Sequence, residues 1–185
     1  MPRDREKVRQ RLQQAALELY RGHGYDETTT AEIAKQAGVT ERTFFRHFAD
    51  KREVLFDGEA ALGAILTEAV HVAPPAFDPW ATLLRAFQAT KALLAENRHL
   101  AEARRSVIAS SAALQERELA KAMSLTVKLA AALRERGTPD RQASLAAQIG
   151  MVAFSRAYTS WLDGDPGDLD EHLAHAFLEV RNLTS

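Results

Sequence analysis

The chain has no cysteine among its 185 residues. Disulfide bonds, thiolate zinc sites and cysteine nucleophiles are therefore excluded together. A long apolar run is missing as well, because the longest stretch without a charged side chain, residues 142–155, is too short and too polar to span a bilayer. The first residues are charged rather than apolar. We therefore expect no signal peptide, no membrane association and a cytoplasmic location.

Residues typical of β-strands are scarce, and no segment alternates between apolar and polar side chains. Alanine and leucine, which lose little conformational freedom in a helix, occur 34 and 22 times. Hydrophobic residues make up 46% of the chain, which is enough for a core without disulfide bonds. The sequence predicts an all-α protein with about nine helices.

Motifs of the common enzyme classes are also absent, including GxSxG, GxGxxG, the P-loop and HExxH. His172 and His175 have helical spacing and could share a metal ion, but they lie on a predicted surface helix. We expect no enzyme activity, no catalytic residue, no cofactor and no metal site. A helical enzyme or an adaptor protein without a DNA role stays an alternative.

The net charge of −1 argues against a protein that binds polyanions over its whole surface. The charge is uneven, however. Residues 1–56 carry 11 basic and 9 acidic side chains, and the remainder carries 13 and 16. A basic end on an acidic body indicates polyanion binding at that end, although a solvated helix terminus would have the same composition.

Two short helices separated by a tight turn are predicted within residues 29–47. Thr29 and Glu32 have the spacing of a capping box at the start of the first helix. Gly38 ends that helix and permits the unusual backbone of the turn. The second helix buries Phe44 and leaves polar side chains on its other face. This helix-turn-helix is the strongest functional signal in the chain.

Three segments and one lysine carry a family signature across residues 8–56. They are Gly24-Tyr25-Asp26-Glu27-Thr28-Thr29, Ile33-Ala34-Lys35-Gln36-Ala37-Gly38-Val39-Thr40, Thr43-Phe44-Phe45-Arg46-His47-Phe48, and Lys51. Together they resemble the TetR family of transcriptional regulators. The resemblance implies a helix-turn-helix DNA-binding domain in residues 1–50 and a helical ligand-binding and dimerisation domain in residues 51–185. A helix from about residue 51 to 72 is expected to connect the two.

The same resemblance implies contacts with double-stranded DNA. Thr29, His47 and Lys51 would contact phosphates, which fix the register of a protein on DNA. Thr40 and Arg42 would reach base edges in the major groove. The complete predicted DNA-binding set is Thr29, Thr40, Arg42, Thr43, Phe45, Arg46, His47 and Lys51.

Two positions depart from the family pattern. Phe45 stands where the family usually has a tyrosine whose hydroxyl binds phosphate, so one polar contact is lost. Thr30 stands where the family usually has an aliphatic residue.

The remaining residues are expected to form a homodimer interface and a ligand pocket. The last two long helices, from about residue 139 to 162 and from about 168 to 182, are expected to form the dimer interface. Small residues on the first of them, including Ala143, Ala147, Gly150 and Ala153, would allow two copies to approach closely. The alternative is that the apolar faces of both helices only fill the core of one chain. The pocket prediction is weaker, because such side chains are more often ordinary core. The predicted ligand-binding set is Leu62, Leu66, Leu84, Phe87, Arg104, Arg105, Ile108, Met123, Val127, Phe154, Tyr158 and Trp161.

The function that follows is a repressor that binds a palindromic operator as a dimer and is released by a small-molecule ligand. The alternative within DNA binding is an architectural protein without sequence specificity.

Overall fold

The computed structural model describes residues 2–183, and this range contains ten α-helices and no β-strand. The predicted all-α fold is confirmed. The helices are α1 (Pro2–His23), α2 (Thr30–Gln36), α3 (Glu41–His47), α4 (Glu59–His71), α5 (Pro79–Gln88), α6 (Lys91–Glu96), α7 (Arg98–Ala109), α8 (Ala112–Glu135), α9 (Asp140–Leu162) and α10 (Leu169–Leu183). None of the helices in the described residues is long and apolar enough to cross a membrane.

The structure has one helix more than predicted, because residues 79–96 form two helices and not one. α5 ends at Gln88 and α6 begins at Lys91. The hydroxyl of the buried Thr90 donates to the carbonyl of Phe87 over 2.6 Å, and the Thr90 amide donates to the same carbonyl over 3.0 Å. A side chain that hydrogen-bonds to nearby backbone competes with the helix, which explains the break.

The fourth helix starts later than the sequence indicates. α4 begins at Glu59, and residues 51–58 form consecutive turns. The Asp50 carboxylate accepts hydrogen bonds from the amides of Arg52 and Glu53, as a cap would, but the turns do not continue into a helix. Gly58 has a φ of 93°, a left-handed conformation that ends one segment and allows the next to leave in a new direction.

The described residues form two compact units. The first contains residues 2–58 and 99–118, and the second contains residues 59–98 and 119–183. In the first unit, α1, α2 and α3 share a hydrophobic core with residues of the later segment. The fully or almost fully buried members of that core include Leu12, Ile33, Phe44, Ile108 and Leu114. The functional division at residues 50 and 51 stays a prediction.

The core of the second unit is formed by α4, α5, α8, α9 and α10. The small face of α9, which the sequence assigned to the dimer interface, is buried inside this core instead. A Cβ atom at Gly150 would lie 3.0 Å from Leu83 Cδ1 and 3.5 Å from Phe87 Cε2. Ala143, Ala147 and Ala153 on the same face are also buried. Their small size lets α5 approach α9 closely within one chain.

Candidate nucleic-acid interface

The turn between α2 and α3 positions two short helices on one hydrophobic core. Gly38 has a φ of 68°, and the amide of Val39 donates to the Ala34 carbonyl over 2.9 Å. Ile33 from α2 and Phe44 from α3 are both completely buried. The predicted helix-turn-helix is therefore present, and its inner faces are fixed by packing.

The start of α2 is capped as the sequence predicted. The Thr29 hydroxyl accepts from the Glu32 amide over 3.2 Å, and the Glu32 carboxylate accepts from the Thr29 amide over 2.8 Å. The Thr29 hydroxyl also donates to the Glu32 carboxylate over 2.8 Å, and the hydrogen bonds from the Thr29 amide and hydroxyl lower the pKa of this exposed carboxyl. Thr29 lies exposed at the end of the α1–α2 loop, where a phosphate can reach it.

Helix α3 carries most of its predicted DNA-binding side chains on its solvent side. Thr40 caps the helix by accepting from the Thr43 amide over 3.2 Å, and the two threonine hydroxyls lie 3.0 Å apart. Arg42, Phe45 and Arg46 are exposed. The helix thus presents hydroxyl groups, two guanidinium groups and one aromatic ring to the solvent, a combination that can contact phosphates and base edges.

Phe45 is 53% exposed, which is unusual for a large apolar side chain beside charged residues. Its ring packs edge-on against the buried ring of Phe44, with 5.4 Å between the ring centroids and 85° between the planes. This contact holds an apolar surface on the predicted DNA-facing side, where it can meet a deoxyribose or a thymine methyl group.

His47 is half-buried, and both of its ring nitrogens are buried without a hydrogen-bond partner among the described residues. Burial lowers the pKa of this histidine, and the positive charges of Arg46, Arg5 and Arg9 lower it further. The ring is therefore neutral at pH 7. Because both ring nitrogens are buried, a hydrogen bond from His47 to a phosphate would require the ring to turn outward, and this contact stays a prediction.

Lys51 has a different environment from the one expected of a phosphate contact. Its Nζ donates to the carbonyls of Tyr25, Thr28 and Asp26 over 2.8, 2.9 and 3.1 Å. These three hydrogen bonds use all three hydrogens of an ammonium group. Lys51 therefore holds the loop that leads to Thr29, and no donor is left for DNA in this structure.

Two tertiary contacts of this unit were not anticipated from the sequence. The Thr30 hydroxyl donates to the carboxylate of Glu41 over 2.5 Å, which connects the first turns of α2 and α3. Arg9 of α1 forms a two-point ion pair with Asp57. The partners are 11 and 48 residues apart, and no local pattern in the sequence predicts such pairs.

The predicted ligand-binding residues are not all brought together. Leu66, Phe87, Phe154 and Trp161 belong to the core of the second unit, and Leu62, Leu84 and Tyr158 pack against it. Within this group the rings of Phe87 and Phe154 stack at 4.7 Å.

The other predicted ligand-binding residues lie elsewhere. Met123 and Val127 are more than 60% exposed. Arg104 belongs to the first unit, where its guanidinium donates to the Leu55 carbonyl over 2.6 Å, and Arg105 and Ile108 belong to that unit too. The pocket stays a prediction. The largest set of predicted pocket residues that contact one another is the row of rings formed by Phe87, Phe154, Tyr158 and Trp161 in the second unit.

The chain is similar in sequence to known bacterial regulators over its N-terminal part. Residues 12–57 match the family model described as bacterial regulatory proteins, tetR family. The HTH-type transcriptional regulator TcmR of Streptomyces glaucescens is 39% identical over 83 residues, which are 45% of this chain and 37% of the relative. SrpR of Pseudomonas putida, also an HTH-type transcriptional regulator, is 44% identical over 50 residues, or 27% of this chain and 24% of the relative. The chain thus aligns with less than two-fifths of either relative's length.

Solved structures of similar fold extend over nearly the whole chain. A protein of Syntrophomonas wolfei described as a TetR-family transcriptional regulator has a TM-score of 0.66 and 18% identity, with 96% of this chain and 95% of that chain covered. The transcriptional regulator FadR of Bacillus subtilis, solved in complex with stearoyl-CoA, has a TM-score of 0.61 and 21% identity, with 91% and 95% covered. At such identities the similarity shows a common fold, and the acyl-CoA ligand is a property of that protein.

Proposed function

We propose that this chain is a DNA-binding transcriptional regulator of the TetR family, and that it is a repressor that binds a palindromic operator as a dimer and is released by a small-molecule ligand; the family part is supported by the match of residues 12–57. The observation that carries the DNA-binding part is the geometry of α3. Its inner face is anchored by the fully buried Phe44, while Arg42 and Arg46 are exposed on its outer face. A rigid helix with cations and hydroxyl groups on one side is suited to the major groove.

Direct DNA contacts are assigned by exposure within the predicted set. Arg42 and Arg46 project from the face opposite Phe44, where they can reach guanine or phosphate. Thr29 and Thr40 lie at the start of α2 and α3 and would contact phosphate and base edges. Phe45 is also exposed on α3, and Thr43 and His47 on the same helix are half-buried. Such contacts supply register and sequence choice together.

One recognition helix contacts only a few base pairs, so specificity favours two copies that read half-sites about 34 Å apart or a multiple of that distance. An apolar surface suited to pairing lies on α9 and α10. Leu145 and Val152 on α9 are 58% and 67% exposed, and Leu178 on α10 is 55% exposed. Helices with exposed apolar residues from two chains would form a four-helix interface.

Release by a ligand requires a population shift. The ligand must bind better to a conformation whose two recognition helices are wrongly spaced for the operator. The aromatic group of Phe87, Phe154, Tyr158 and Trp161 is the part of the predicted pocket best suited to an apolar ligand. The chemical identity of that ligand is left open.

Selection of bound sequences from a random pool of double-stranded DNA tests the proposal. We expect a palindromic site, bound by two chains. If a dimer neutralises about eight phosphates, log K should fall with log salt concentration at a slope of about −7. The Arg42→Ala/Arg46→Ala variant is the matched control, and it should lose binding while remaining folded. Equal affinity for selected and random DNA would favour the architectural alternative and contradict the proposal.

The ligand-release part is tested separately on the protein–operator complex. A panel of small aliphatic and aromatic compounds is screened for those that raise the melting temperature of the free protein, and each stabilising compound is then titrated into the complex. We expect at least one to lower operator affinity. If every compound that stabilises the protein leaves operator affinity unchanged at saturation, release by a small molecule is contradicted.

A further inference from the structure

We propose that Arg5, near the start of α1, is a further phosphate contact of the DNA-binding surface and lies beside Arg46 at the end of α3. The predicted DNA-binding set contains no residue of α1, so this contact extends the surface to another helix. The inference rests on the proposed DNA-binding function. Because phosphate contacts carry no sequence information, Arg5 would add affinity and orientation rather than sequence choice.

Helical spacing places Arg5 on the side of α1 that packs into the first unit. Leu12 and Ala16 lie 7 and 11 residues later and are completely buried on that side. At 3.6 residues per turn, Arg5 points within about 20° of both of them. Arg5 itself is exposed. A residue in line with buried positions is exposed where the helix extends past the core, so α1 projects beyond the core at Arg5.

Arg9 identifies the neighbour of this end of α1. Its guanidinium carbon lies 5.2 Å from the centroid of the Phe48 ring, and Phe48 directly follows α3. Residues four apart on a helix are neighbours on its surface, so Arg5 lies one turn further along the face that meets the end of α3. The last turn of α3 carries the exposed Arg46. The side chains of Arg5 and Arg46 therefore approach the same end of α3 from two helices.

The charges around His47, the last residue of α3, support this placement. Burial lowers the pKa of its ring most, and the positive charges of Arg46, Arg5 and Arg9 lower it further. Charges act strongly on a neighbouring group only over a short distance, so the three guanidinium groups lie around one ring. Cations grouped in this way repel one another, and an anion bound between them would relieve that repulsion.

Arg5 and Arg46 differ from Arg9 in the contacts they already make. Arg9 forms a two-point ion pair with Asp57, whose carboxylate also accepts from the Gln13 amide over 3.0 Å. In the part of the chain that the structure describes, no hydrogen bond or ion pair engages Arg5 or Arg46. Arg9 therefore holds α1 in place, while the other two guanidinium groups keep their donors for an external anion. Phosphate oxygens match the fork of donors that a guanidinium group presents.

The Arg5→Gln variant tests this contact, because glutamine keeps a flexible polar side chain and removes the charge. Operator affinity of the full chain is measured between about 50 and 200 mM salt. Each lost phosphate contact should reduce the slope of log K against log salt concentration by about 0.9, or by about 1.8 for a dimer. The affinity advantage of wild type over the variant should therefore shrink about twelvefold across this fourfold range of salt.

Lys7→Gln is the matched control. Lys7 is exposed, carries the same charge and lies two residues from Arg5, which places it about 200° around the helix, on nearly the opposite side. Lys7→Gln should keep the slope of wild type, and Arg5→Lys should keep it too because the charge remains. An unchanged slope in Arg5→Gln would overturn the proposal. An equal reduction in Lys7→Gln would overturn it as well, because the effect would then come from net charge and not from position.

Neutral methylphosphonate groups, placed one at a time in the operator, locate the contact. We expect a position in each half-site that weakens binding of wild type and of Lys7→Gln but has little further effect on Arg5→Gln. If every sensitive position weakens Arg5→Gln as much as wild type, Arg5 contacts no phosphate and the proposal fails. A wild-type protein that selects no DNA site would instead remove the proposed function, so the wild-type measurement distinguishes the two failures.

Discussion

Replacement of Gly38 by alanine should lower the stability of the folded protein through backbone strain alone. Gly38 has a φ of 68°, in the left-handed region that an L-residue enters at a cost of about 1–2 kcal/mol. A Cβ atom built there would meet only the guanidinium of Arg11, at 3.8 Å, which is ordinary contact distance. No steric term is therefore added, and we expect Gly38→Ala to lower the free energy of unfolding by about 1–2 kcal/mol.

A second glycine of the same unit provides the matched control. Gly22 lies within α1, a Cβ atom there would meet nothing within 4 Å, and its φ is not in the left-handed region. Gly22→Ala should therefore raise the free energy of unfolding, by up to about 0.5–1 kcal/mol, because alanine favours helix. The same chemical change is thus expected to have opposite signs at two positions.

Urea denaturation followed by far-UV circular dichroism measures both variants. Protein concentration must be held constant, because stability would depend on it if the chain forms the proposed dimer. Gly38→Asn should fall between wild type and Gly38→Ala, since asparagine enters the left-handed region more readily. The reasoning is refuted if Gly38→Ala is as stable as wild type, or if Gly22→Ala loses more stability than Gly38→Ala.

Three further predictions concern the interface, the recognition helix and pH. Val152→Glu charges an exposed apolar position of α9, so sedimentation should detect monomers while the helical content is retained; an intact dimer would contradict this. Phe45→Tyr should raise operator affinity about fivefold or more, because a hydroxyl adds one hydrogen bond in each half-site, and unchanged affinity would mean that no phosphate is within reach. The folded-state pKa of His47 lies below its unfolded value of about 6.5, so the unfolded chain takes up the proton first as pH falls. Stability should therefore decrease below about pH 6.5, down to the folded-state pKa. Chemical denaturation should show a smaller decrease for His47→Gln, and an identical pH profile would argue against the lowered pKa.

Local signals within the helix-turn-helix were read correctly, whereas the helix expected from residue 51 begins only at Glu59. The capping box of Thr29 and Glu32 and the left-handed Gly38 are both present. Each depends on residues within one or two helical turns, where side-chain chemistry and backbone geometry determine each other. The buried positions Phe44 and Phe48 followed from helical periodicity in the same way.

Signals that depend on distant partners were misread or missed. The small face of α9 was assigned to a second chain, but Leu83 of α5 fills the space beside Gly150. The hydrogen bonds of Lys51 to carbonyls of a loop more than 20 residues earlier were not foreseen, and its phosphate contact stays a prediction. A lone lysine or a stripe of small residues has the same composition in either role, so the sequence could not separate the two.

By itself, then, the sequence determined the helical class, the location of the helix-turn-helix and which of its faces meets solvent, because periodicity and capping act over a few residues. Tertiary structure alone decided which carbonyls the Lys51 ammonium binds and which apolar faces remain exposed. The physical reason is that an ammonium group or a helix face that already contacts one partner is not free to contact another. That partner is distant in sequence, so only the folded chain shows which residue it is.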